Sequence, residues 1–226
     1  MIRKLLFVCI FLLLATDARA QTVTDERVWF TMTLQEPGNA GSPWRWNVET
    51  YFRSREGVDE LDSMGVRPTL IYAVTPHVSV GGGYAFVPLF PVIGPTLIEH
   101  RPSGQFGWTT AVAGGTLSLR TRMEVRFVES NSGPAGRFRQ QVRFTHAFRK
   151  GSRMSWSAYD ELLVHTNSTT RAARGVDSNR LYGGVGIAMP HATRIELGYI
   201  NQFSPGHRSL PDRMYHILSS ALAVSF

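Results

Sequence analysis

The sequence carries one cysteine, Cys9, among its 226 residues. One thiol forms no intrachain disulfide and supplies no multi-cysteine metal site, so a disulfide-stapled secreted scaffold is excluded. Metal-binding patterns of the His-x-x-x-His or His-Glu-x-x-His type are missing too. His77, His146, His191, His207 and His216 are scattered, which gives no basis for a metal site. No phosphate loop and no dinucleotide fingerprint occurs, and no cofactor is expected. Long apolar runs are lacking beyond the first residues, and a mean hydropathy of -0.10 is too low for a bundle of membrane helices. After residue 20 no long segment has helical periodicity.

The one apolar run reads as a secretory leader. Arg3 and Lys4 precede an almost unbroken apolar stretch from Leu5 to Ala15, and Ala18-Arg19-Ala20 is a small-x-small cleavage site before Gln21. The run is about half of the ~20 residues that a membrane-crossing helix needs. Residues 1–20 are therefore expected to be removed, leaving residues 21–226 as one domain. Cleavage would take Cys9 with it, so a thiol nucleophile is excluded from the mature chain. Three cations and one acid leave at the same time, taking the formal charge from +7 to +5, carried mainly by arginine.

What the mature sequence does contain is period two. Leu117, Leu119, Met123, Val125 and Phe127 alternate with Ser118, Arg120, Arg122, Glu124 and Arg126. Similar alternation marks Trp44–Arg55, Arg137–Arg149, Arg180–Met189 and Arg213–Phe226. Weaker segments are Val28–Gln35, Arg67–Thr75, His77–Val87, Gln105–Ala113, Arg153–His165 and Thr193–Phe203. A strand of this kind separates an apolar phase from an aqueous one. Its length is near the ~9–11 residues of a tilted membrane-spanning strand. Trp29, Trp44, Trp46, Phe86, Trp108, Phe127, Phe148, Trp156 and Phe203 lie near strand ends, where interfacial girdles are expected.

The predicted fold is an all-β, antiparallel up-and-down transmembrane barrel in an outer membrane. Connections around 73–77, 113–115, 149–152 and 189–192 are short, whereas 88–104, 129–136, 166–178 and 204–212 are longer. That asymmetry is typical of outer-membrane barrels. Counting back from Phe226 makes Trp44–Arg55 the first of ten strands. Val28–Gln35 is then an eleventh, expected to be a partial or plug-like element because bacterial barrels usually have even counts. Twelve strands is the alternative. Phe226 ends a run of outward apolar residues, Met214, Leu218, Leu222 and Val224. This ending resembles the signal read by the outer-membrane assembly machinery, which makes that machinery an implied partner.

Short segments in order along the chain resemble the DUF2490 family of predicted bacterial outer-membrane barrels. They are Asp25-Glu26-Arg27-Val28-Trp29, Glu49 to Arg53, Gly83-Tyr84, Glu99-His100-Arg101, Glu124-Val125-Arg126-Phe127, Asp160-Glu161-Leu162, Asn179 to Gly184, Glu196-Leu197-Gly198-Tyr199 and the terminal strand. The resemblance implies a fold and a location. It supplies no catalytic residues. The three-proline segment Val87–Pro95 stands outside it.

The polar face is the place to look for a site. It is expected to present Arg45, Arg53, Arg55, Arg67, Arg120, Arg122, Arg126, Arg139, Arg143, Arg180, Arg194 and Arg213, with Glu49, Glu124, Glu161 and Glu196, and Glu99 near a rim. Interior charges must be paired, so a structural charge network is one reading. Arginine forks suit carboxylates and phosphates, so a narrow anion-preferring pore is another. A barrel of about ten strands is too small for a general porin. A third reading is an outer-membrane hydrolase of lipid, lipopolysaccharide or peptide, in which His165 follows Asp160 and Glu161 and a bulge re-aims Asp160. A soluble periplasmic barrel that binds an acidic ligand is a fourth. Membrane lipid and lipopolysaccharide are the expected surroundings. Nucleic acid is not expected, because the arginines alternate along strands and form no exposed stripe. The sequence leaves oligomeric state open.

Overall fold

A computed structural model describes residues 22–36, 41–207 and 210–226. The leader and its cleavage site fall outside the described residues. Eleven strands close into one barrel, and no helix occurs among the described residues. The strands are β1 (Val23–Gln35), β2 (Trp44–Arg55), β3 (Glu60–Ala73), β4 (Val78–Leu89), β5 (Leu97–Val112), β6 (Gly115–Val128), β7 (Ala135–Ala147), β8 (Met154–His165), β9 (Gly175–Met189), β10 (Thr193–Ser204) and β11 (Arg213–Ser225).

The expectation of ten or twelve strands is corrected to eleven, and Val28–Gln35 is no plug. It belongs to β1, a full wall strand. An antiparallel meander with an odd number of strands must begin and end in the same direction. Here β1 and β11 pair in parallel through thirteen positions, from Val23 opposite Arg213 to Gln35 opposite Ser225. Every other neighbouring pair is antiparallel. β1 meets β2 only from Trp29 opposite Arg53 to Gln35 opposite Asn47, so its first six residues overhang the β2–β3 hairpin.

Strand ends also move. β5 starts at Leu97 and not near Gln105, because Pro102 sits in the wall opposite Tyr84 without ending the ladder. The turn from Glu56 to Asp59 holds Glu56, Gly57 and Val58 at positive φ. This tight reversal lets β3 begin at Glu60, well before Arg67. The loop asymmetry holds with two exceptions. Residues 56–59 make a short turn at the end where 90–96, 129–134, 166–174 and 205–212 lie, and residues 36–43 make a longer connection at the opposite end.

The wall is inverted relative to a water-soluble barrel. Facing outward and exposed are Trp44, Phe52, Leu70, Phe106, Met123, Val125, Leu181, Leu197 and Leu218. Facing inward and buried are Arg67, Arg101, Arg122, Glu124, Arg139 and Glu161. The interior also holds aromatic rings in two groups. Trp29, Tyr182, Ile200, Tyr215 and Ile217 form one, with Tyr159 against it; Tyr51, Ala85 and Val87 form the other. Trp29 is thus a lumen residue, a correction to its expected place in a girdle. On β1 it shares the inward face with Thr31, Thr33 and Gln35. A glycine makes room for the ring opposite: a Cβ at residue 65 would overlap the Tyr51 ring. β4 contributes only small or apolar inward residues, Ser79, Gly81, Gly83, Ala85, Val87 and Leu89.

Candidate functional site: the charged lumen

On strands β5 to β10 every second residue faces inward, and each strand has at least one carboxylate or arginine among its inward residues, so charges from neighbouring strands meet without any loop positioning them. Three glutamates act as hubs. Glu124 on β6 takes Arg137 through Nε at 2.9 Å and Nη2 at 2.7 Å, and Arg139 Nη1 at 2.9 Å. Arg67 Nη2 and Arg122 Nη1 stand further off the same carboxylate, at 3.8 and 4.0 Å. Glu161 on β8 takes Arg139 Nη2 at 2.6 Å, Arg120 Nη2 at 3.1 Å and Arg180 Nη1 at 3.1 Å. Glu99 on β5 is held between two guanidinium forks, Arg101 at 2.9 and 2.8 Å and Arg126 at 2.6 and 3.0 Å.

A fourth cluster gathers on Glu196 of β10. It accepts from Arg143 Nη2 at 2.6 Å, the Tyr182 hydroxyl at 2.6 Å, the Ser157 hydroxyl at 3.2 Å and Arg194 Nη2 at 3.3 Å. Glu49 accepts from Arg67 Nη1 at 3.1 Å. Arg53 is placed differently: its guanidinium lies over the Trp29 ring at 4.3 Å and the Tyr51 ring at 4.5 Å.

The predicted lumen residues come together except at the margins, where Arg55, the last residue of β2, pairs with the half-exposed Glu60. Arg45 is exposed toward the end where β2 begins, and Arg213 is exposed at the opposite rim. Glu99, expected near a rim, is the third residue of β5 and stands opposite Val128, the last of β6, so it lies toward that rim, and it is fully buried there. Arg101 and Arg137 were absent from the expected set although both are buried in it. Each shares an inward face with a recognised residue two positions away, Glu99 and Arg139. That spacing was the available signal.

The hub residues are tightly packed inside the barrel. Glu99 and Glu124 are 0% and 1% exposed and Glu161 2%, and the arginines around them are also buried. Cations outnumber acids in this layer: Arg67, Arg101, Arg122, Arg137, Arg139 and Arg180 are buried against Glu99, Glu124 and Glu161. Among the described residues, Arg67 Nη2, Arg122 Nη1, the Tyr51 hydroxyl and Trp29 Nε1 have no hydrogen-bond partner. The inner surface is thus rich in donors. At the rim formed by β8–β11, a cleft of about 410 Å³ is lined by Arg27, Arg171, Asp177, Gln202, His207 and Arg213, among others.

The hydrolase constellation does not assemble. Asp160 points outward, because the β8–β9 irregularity lies between Leu163 and Val164 and leaves the register at Asp160 unchanged. Glu161 points inward into the arginine network. His165 pairs with neither; its Nε2 lies 3.2 Å from Asp177, and its buried Nδ1 has no hydrogen-bond partner among the described residues. Ser168 is tied into its loop, its Oγ accepting from the Arg174 amide at 3.0 Å. Among the described residues no group of three or more His, Cys, Asp or Glu is placed to hold a metal ion.

A family described as "Protein of unknown function (DUF2490)" matches residues 26–213. The chain is also similar to an uncharacterized protein of Methylorubrum extorquens, 29% identical over 222 residues, covering 95% of this chain and 94% of that one. No solved structure matches the chain.

Proposed function

Since the chain belongs to the DUF2490 family, whose description assigns no activity, we propose from the geometry that it is an outer-membrane barrel of structural type, closed by its own arginine–carboxylate network. The observation that carries this reading is the inversion of the wall. Large apolar side chains cover the outside while buried ionic groups fill the inside. Water gives no reason to expose so wide an apolar surface, whereas a bilayer does. The leader at residues 1–20 supports export, and the apolar run ending at Phe226 suits recognition by the barrel-assembly machinery. Lipopolysaccharide phosphates would meet the arginines of the rim.

The packed network favours the structural role over the pore role. Three buried carboxylates, each held by two or more guanidinium groups, narrow the space left for water through the lumen. The anion preference is latent: with cations in excess, any opening of the layer favours anions. Planar-bilayer recording tests both points. The wild-type barrel is expected to give no steady conductance step. Replacing Arg139 and Glu161 together by serine is expected to produce steps whose reversal potential in a salt gradient is that of an anion-selective path. A steady open channel in the wild type would overturn the sealed reading.

A further inference from the structure

The outward face of β6 to β9 carries four polar side chains where lipid-facing residues are expected. Thr121, Gln140, Asp160 and Asn179 sit on consecutive strands, each between apolar outward neighbours on its own strand. The Thr121 hydroxyl donates to Gln140 Oε1 at 2.6 Å, and Asn179 Nδ2 donates to both Asp160 carboxylate oxygens at 3.2 and 3.0 Å. Directly across from Asp160 are Val142 and Leu181, so no cation of the wall neutralises it. Hydrocarbon is a costly setting for such a group, and intramembrane carboxylates are rarely left facing lipid.

We propose that this wall is the interface of a homodimer, with a two-fold axis along the membrane normal between β7 and β8. This rests on the membrane reading above. The patch is self-complementary about that axis. Rotation sets Gln140 of one copy against Asp160 of the other, since Asp160 lies two residues back along β8 from the position directly across from Gln140. The Gln140 amide NH2, whose hydrogen bond among the described residues is a long 3.4 Å one to the Gln141 carbonyl, then donates to a carboxylate with no cation beside it among them. Each copy makes the same contacts on the other, as a two-fold interface requires. Ala158 and Gly183, paired across β8 and β9 on the same outward face, leave the wall low enough for two barrels to approach. A lipid headgroup does not fit, since these positions are flanked by apolar residues toward both rims.

Site-directed crosslinking in isolated outer membranes tests this. In a Cys9→Ser background, Ala158→Cys near the axis is expected to give a disulfide-linked dimer on mild oxidation. Val80→Cys, outward on β4, is the control and is expected to give none. Adding Gln140→Leu and Asp160→Leu to Ala158→Cys removes polar groups from the outside without touching the lumen. These changes are expected to cut the dimer yield at least tenfold while the heat-modifiable folded band persists. A folded protein in the outer-membrane fraction whose Ala158→Cys yield does not exceed the Val80→Cys control overturns the dimer alone. Recovery of the protein only in the soluble fraction overturns the membrane reading and the dimer with it.

Discussion

Glu124 illustrates how much one side chain can hold in a charged lumen. It is 1% exposed and bonds to Arg137 twice and Arg139 once. Taking away one member of a buried ionic group leaves the others desolvated and uncompensated, which costs about 3–5 kcal/mol. Glu124→Gln keeps the shape and removes the charge, and it should fall in that range in a denaturant titration of the lipid-embedded barrel. Glu60→Gln is the contrast. Glu60 bonds Arg55 at 2.5 Å, but its side chain is 48% exposed, and a pair so wetted contributes about 0–1 kcal/mol. Equal effects of the two substitutions would mean that the network is solvated and the lumen open. The arginines and glutamates of the interior were legible from alternation alone, because period two decides the face. Which arginine meets which glutamate was not, since that depends on the register between strands distant in sequence. The His165 pairing shows the difference. Asp160 and Glu161 are nearer in sequence, yet Asp177 on β9 reaches His165 because those strands are neighbours.

At the scale of elements, the strand that sequence parity could not place carries the topology. β1 pairs on one side with β2 and on the other with β11, and its alternation is weak because Trp29, Thr31, Thr33 and Gln35 make a mixed inward face. The usual preference for even counts argued against a wall role for it. Parallel closure removes that conflict, and no sequence pattern announces it, since pairing partners at opposite ends of the chain leave no local signal. Strand ends were the other illegible feature: turn geometry sets them, as at Glu56–Asp59. A proline scan of β1 tests the seam. The Val23 amide donates to the Asp212 carbonyl at 2.9 Å and the Phe226 amide to the Gln35 carbonyl at 3.3 Å, so odd-numbered backbone groups of β1 turn toward β11. Thr31→Pro deletes a donor to the parallel seam and should abolish the heat-modifiable band. Thr24→Pro loses a donor on the side where β1 overhangs β2, and it should keep that band. Survival of the folded band in Thr31→Pro would show that β1 is not a paired wall strand.

For the molecule as a whole, the same eleven strands suit either of two surroundings, and only the exterior distinguishes them. A barrel in water would need its polar face outside, or a partner over its apolar one. Here the interior is already filled by ions and rings, so the apolar exterior has no core to join. Leu197, at the fifth position of the twelve-residue β10, is outward and 58% exposed. If that surface meets hydrocarbon, Leu197→Arg places a cation among acyl chains at a cost of ~2–4 kcal/mol near the bilayer midplane. If it meets water, the change is an ordinary surface substitution of within about 0.5 kcal/mol. The outward position leaves the lumen network untouched in both cases, so the difference reads the solvent and not the fold. Reversible unfolding from phospholipid vesicles should show the larger loss for Leu197→Arg. A much smaller loss is expected for Thr193→Arg at the start of the same strand, because the penalty falls toward the interface. A flat response along β10 would place the exterior in water.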